Sequence, residues 1–114
     1  MDFEIQVETA DRSLAFELFQ NCGKLSEGMS VPIPGNATLT LRGLKVQKSI
    51  LGRETIDLLM SFGVGFSASL VANFLYDKIR GRADGIAINR IMVDVDRGEI
   101  TRVFIERIDS RPKK

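Results

Sequence analysis

From Leu58 to Tyr76 the chain runs nineteen residues, LLMSFGVGFSASLVANFLY, without a charged side chain. No other feature limits the fold so tightly, because a helix apolar nearly all round must be covered on more than one side. Three readings compete. A transmembrane helix needs about 20 predominantly apolar residues, and here Ser61, Ser67, Ser69, Asn73 and two glycines interrupt the run. On that reading the protein is a membrane-associated component anchored by an uncharged helix over 58–76. A second reading starts from Gly63-Val64-Gly65-Phe66-Ser67-Ala68, which matches the dinucleotide fingerprint G-x-G-x-x-[GA]. It would make Ile56 to Phe62 a strand and Ser67 to Arg80 a helix, but only 46 residues follow Ala68 to supply the further βα units.

The third reading, a buried helix from about Glu54 to Arg80, is the one the pattern favours. At 100° per residue Ser61, Gly65, Ala68, Ser69 and Ala72 fall on one stripe, beside a bulky face of Leu59, Phe62, Phe66, Leu70 and Phe74. Interior glycines cost about 1 kcal/mol each against Ala. Close backbone approach, to another helix or to a second copy of the chain, would explain them. The stripe is therefore a candidate partner or dimer surface.

Elsewhere the periods are clearer. Phe3, Ile5 and Val7 alternate with Glu4, Gln6 and Glu8, which predicts a half-buried strand with an acidic outer face. Thr9 or Asp11 can cap a following helix in which Leu14, Leu18 and Cys22 share a face, ending at Gly23. Residues 24–36 are irregular, and Pro32 and Pro34 force extended backbone. The stiff arm carries Met29, Val31 and Ile33, which either fold over the core or dock on a partner. Ala37, Leu39 and Leu41 alternate with Thr38, Thr40 and Arg42, and Gly43 shifts the parity, as a bulge would. A turn is expected near Leu51-Gly52. Ile91 to Val95 and Glu99 to about Ile108 read as a hairpin turning at Asp96-Arg97-Gly98.

The resulting order, β-α-β-α-β-β, predicts an α+β fold: a small two-layer sandwich, mainly antiparallel, with helices on one face, ferredoxin-like or related. Residues 1–110 form a single domain, and 111–114 are a basic disordered tail. Gly63 to Arg82 followed by the 91–105 hairpin resembles the effector-associated constant component family of small bacterial conflict-system proteins, most closely over residues 56–108. That resemblance implies a non-enzymatic component tied to a separate effector, and it transfers no site residue. Phe74-Leu75-Tyr76 stands where a Trp is common in that family.

Composition narrows the chemistry. The absence of His removes imidazole catalysis and His-ligated metals, and one Cys leaves no internal disulfide or Cys-x-x-Cys site. Net charge is +1, but residues 1–57 hold 8 acids and 6 bases, and residues 58–114 hold 7 acids and 10 bases. The basic excess includes Lys78, Arg80 and Arg82, which suit a helix C-terminus or, alternatively, a phosphate. Asp94 and Asp96, with Glu99, are the one candidate for a hard cation or a carboxylate-based enzyme. Phe104 and Met92 with Arg90 and Arg102 are the one candidate nucleic-acid stacking platform, and no nucleic-acid partner is expected. The sequence thus predicts a non-catalytic bacterial protein-interaction module, associated with or neutralising an effector or toxin. It is expected to be cytoplasmic and cofactor-free, with a homodimer possible. The opening Met-Asp-Phe-Glu has no basic or apolar leader character.

Overall fold

Alternation sets the first strand. The computed structural model describes residues 2–11, 13–19, 24–46 and 54–109. In β1 (Asp2–Thr9), Phe3, Ile5, Val7 and Thr9 are buried, while Glu4, Gln6 and Glu8 lie half-exposed on the other face. A short helix, α1 (Leu14–Leu18), buries Leu14, Ala15 and Leu18. Asp11 precedes it and accepts hydrogen bonds from the backbone N–H and hydroxyl of Ser13 at 2.9 and 2.6 Å. The proline-bearing arm folds back as β2 (Ser30–Ile33), paired antiparallel with β3 (Ala37–Val46). The ladder of β3 shifts register between Leu41 and Gly43, the bulge that the change of parity predicts. Cys22, Gly23, the Leu51-Gly52 turn and residues 111–114 lie outside the described residues.

The uncharged run is not one helix. Glu54 to Phe62 form β4, the next strand, with alternate residues from Glu54 to Phe62 buried. Gly63 to Ser67 turn the chain, and α2 (Ala68–Ile79) follows. Leu58, Leu59 and Met60 are consecutive apolar residues, and a short apolar run cannot be told from a helix by periodicity alone. Ser67 caps α2, its hydroxyl accepting from Leu70 N–H at 3.3 Å. Arg80 ends the helix with Gly81 in the left-handed region beyond it.

The predicted C-terminal hairpin is also corrected. The real hairpin joins β5 (Ala83–Ile88) to β6 (Ile91–Val93), with Asn89 and Arg90 both at positive φ in the turn. Two such residues between paired strands make the type I′ connection. The segment expected to return as a strand is instead α3 (Arg97–Asp109). Asp96 starts it: its carboxylate accepts from Glu99 N–H at 3.1 Å and its carbonyl from Ile100 N–H at 3.0 Å.

The chain is therefore α+β, with a six-stranded antiparallel sheet in the order β2-β3-β4-β1-β5-β6 and three helices among the described residues. That is two strands and one helix more than β-α-β-α-β-β. Strand β1 lies between β4 and β5 and is antiparallel to both, so β4-α2-β5 is a split crossover. Strands β1 and β3 flank β4 in the same way. One face of the sheet packs on the helices in a single core that includes Ile5, Leu58, Ile86, Leu18, Leu75 and Phe104. At one end Phe104 meets Phe3 at 5.3 Å and Phe62 at 5.8 Å between ring centroids. The other face is open to water, as antiparallel sheets allow.

Candidate functional site

The two edges of the sheet are unlike. The β2 edge carries Pro32, which removes a donor and discourages a further strand. The β6 edge carries no proline and is three residues long. In the hairpin, Ile88 pairs with Ile91, Ala87 with Met92 and Ile86 with Val93. A two-residue turn makes the flanking pair exchange its hydrogen bonds, and the pattern alternates along the ladder. Ile91 and Val93 therefore turn their backbone groups toward β5, and Met92 turns its N–H and C=O outward. Met92 is 65% exposed and Ile91 46%.

Beside this edge runs a groove of about 250 Å³ between β6 and α3. Ile91, Val93 and Val103 supply apolar wall, while Asp94, Glu99, Arg102 and Glu106 supply charge. On α3, Arg102 donates to Glu99 at 2.6 Å and to Glu106 at 2.8 Å, one turn to either side. The Arg102 guanidinium holds the Glu99 carboxyl below its ordinary range, and the two carboxylates push the Arg102 pKa up. An edge strand facing a helix across a partly apolar groove is a geometry suited to receiving one more extended chain.

The residues singled out from the sequence scatter. Ser61 lies on the half-exposed face of β4, Gly65 in the exposed turn, Ser69 on the solvent side of α2, and Ala72 wholly in the core. Ala68 is half-buried at the start of α2. Because the strand ends at Phe62, the helical stripe through Ser61, Gly65, Ala68, Ser69 and Ala72 does not form. Met29 and Val31 pack partly buried against the core, and Ile33 is buried in it. The arm is thus an edge strand whose apolar side chains are already occupied.

The catalytic and ligand candidates are accounted for as well. Asp94 and Asp96 do not share a strand face: Asp96 caps α3 and Glu99 is bound to Arg102. Among the described residues no three His, Cys, Asp or Glu side chains group to hold a metal ion. Gly63 to Ala68 does stand between a strand and a helix, as the fingerprint requires, but two of its backbone N–H groups are taken by the β2–β3 turn. Ser67 N–H donates to the Gly35 carbonyl at 2.8 Å and Gly63 N–H to the Asn36 carbonyl at 2.8 Å. Lys78 and Arg80 sit at the C-terminus of α2, where cations suit the dipole, and Arg82 is held by Glu17 and Asp11. Phe104 is fully buried, so it forms no platform with Met92. The open sheet face carries Glu4, Glu8 and Asp57, and no aromatic among the described residues.

No family model, curated protein or solved structure matches this chain.

Sequence reasoning missed the β6 edge because strand order is invisible in a linear pattern. One local signal was available. Asp96 followed three residues later by Glu99 is a helix-start signature, and it would have separated β6 from α3 and exposed the groove between them. Among the described residues no helix is long and apolar enough to cross a membrane.

Proposed function

We propose that this chain is a non-catalytic interaction module on a ferredoxin-like framework, joining other polypeptides by strand addition at β6. The observation that carries the reading is the proline-free β6 edge, with the Met92 N–H and C=O outward and the α3 groove alongside. The framework is supported by the succession β1-α1-β3-β4-α2-β5 with strands ordered β5-β1-β4-β3 and two split crossovers. Strands β2 and β6 and helix α3 are additions to it, and two of these three build the groove. In the bacterial setting that the resemblance implies, the module acts together with a separate effector or toxin. A cytoplasmic location belongs to the same proposal and rests on the solitary Cys.

Selecting extended peptides from a random library on the immobilised chain tests this reading, with Met92→Pro as the counter-screen. Proline at an outward-facing edge position removes the N–H that an added strand would use and leaves the bonds to β5 intact. Peptides whose binding falls about ten-fold or more on Met92→Pro are expected, which corresponds to roughly 1.4 kcal/mol. Binders indifferent to Met92→Pro, or none at all on a monomeric chain, would overturn strand addition.

A further inference from the structure

We propose that a second copy of this chain occupies the β6 edge, strand against antiparallel strand about a two-fold axis at Met92. The inference rests on the strand-addition reading and names the occupant. The two six-stranded sheets then become one continuous sheet across the axis.

The segment Arg90-Ile91-Met92-Val93-Asp94 runs cation, three apolar residues, anion. Such an order is self-complementary when reversed. With the axis at Met92, the outward N–H and C=O of Met92 meet those of the partner's Met92 in a pair of hydrogen bonds. Ile91 falls opposite the partner's Val93, apolar on apolar. Arg90 falls opposite the partner's Asp94, and by symmetry the contact occurs twice. Moving the axis to Ile91 sets Met92 against the partner's Arg90, and moving it to Val93 sets Met92 against the partner's Asp94. The register centred on Met92 matches apolar residues to apolar ones and sets opposite charges facing each other just outside the three-residue strand, Arg90 in the turn and Asp94 beyond Val93.

The flanking charges are exposed. Arg90 is 84% exposed at its side chain, and its one ion pair among the described residues is a loose one, 3.6 Å to Glu4, which Arg42 approaches more closely at 3.2 Å. Exposed pairs of that kind contribute little. Asp94 is exposed at the rim of the groove. Pairing would also cover Met92 and Ile91, two of the larger apolar side chains left in water.

Sedimentation of the full chain against concentration tests the proposal, using wild type, Arg90→Asp, Asp94→Arg and their equimolar mixture. The wild type is expected to dimerise, and each single variant to weaken the dimer about ten-fold or more at low salt, because it sets like charges across both contacts. The mixture restores opposite charges at both contacts and is expected to regain the dimer mass. Circular dichroism on each variant checks that these exposed substitutions leave the fold intact. A wild type that stays monomeric at high micromolar concentration overturns self-pairing, and so do single variants that dimerise like wild type. A monomeric wild type that still captures Met92→Pro-sensitive peptides overturns self-pairing alone and leaves strand addition standing. A Met92→Pro chain that dimerises like wild type and captures the same peptides overturns both.

Discussion

Gly35→Ala is the sharpest test of how the two halves of the fold are locked together. Gly35 sits in the β2–β3 turn at φ +96°, and a Cβ there would lie 2.7 Å from Val71 Cγ2, 2.8 Å from the Ser67 carbonyl oxygen and 3.0 Å from Val71 N. Two of those three atoms are backbone at the first turn of α2, and Val71 is fully buried. Relief therefore requires moving the helix. Two separate costs add. Holding an L residue in the left-handed region costs about 1–2 kcal/mol, and forcing an extra carbon into a filled site costs about 1–3 kcal/mol more. Gly28 isolates the first cost, since it has φ +91° but nothing within 4 Å of its Cβ position. Gly28→Ala should lose about 1–2 kcal/mol and Gly35→Ala about 2–5 kcal/mol, out of a total of roughly 5–15 kcal/mol. The chain has no Trp, so urea unfolding followed by far-UV circular dichroism is the suitable assay. If the two variants agree within about 0.5 kcal/mol, the difference claimed for close packing is absent and the account of the turn is wrong.

Further outcomes test the helices and the carboxylates. Phe104→Ala empties the site between Phe3 and Phe62 and should cost about 3–5 kcal/mol by chemical denaturation; a loss below about 1 kcal/mol would mean that α3 is not docked there. Asp96→Ala removes the acceptor for Glu99 N–H and should cost about 0.5–2 kcal/mol, whereas Asp96→Asn, which keeps an acceptor, should recover most of it in the same urea titration. Hydrogen bonds from Ser13 hold the Asp11 carboxyl below its ordinary range, so its stabilising contribution is present above the unfolded pKa of about 4 and is lost as the pH falls through the lower folded value. Asp11→Asn should flatten that part of the acid limb, and an unchanged limb in thermal melts between pH 5 and 2 would count against the Ser13 bonds.

Legibility followed burial. The strands at 3–8 and 37–46 were readable because each has one covered and one wet face, so the period of two is written in the residues, and even the bulge at Gly43 appears as a change of parity. β4 was not readable in that way. It is one of the two central strands, and Leu59 on its open face interrupts the alternation that Thr55, Asp57 and Ser61 keep. Joined to α2 through Gly63 and Gly65, it imitates one long helix. In α3, Thr101, Val103 and Ile105 alternate as a strand would, while Ile100, Val103, Phe104 and Ile108 keep helical spacing. The core contact of Phe104 and the cap at Asp96 decide between the two periods.

By itself, then, the sequence determined the class of the fold, the first and third strands, the kink in the second half of the latter, and the chemistry removed by the absence of histidine. Each of these depends on residue identity or on a local period. Tertiary structure alone decided that the uncharged run splits at Gly63, that β1 is inserted between β4 and β5, and that β6 is left at the margin with Met92 facing outward. Strand order is fixed by which faces bury together across the whole chain, and an exposed edge is defined by the neighbour that does not come. No local pattern can carry that information, yet the Arg90 to Asp94 segment acquires its meaning only once the edge is known.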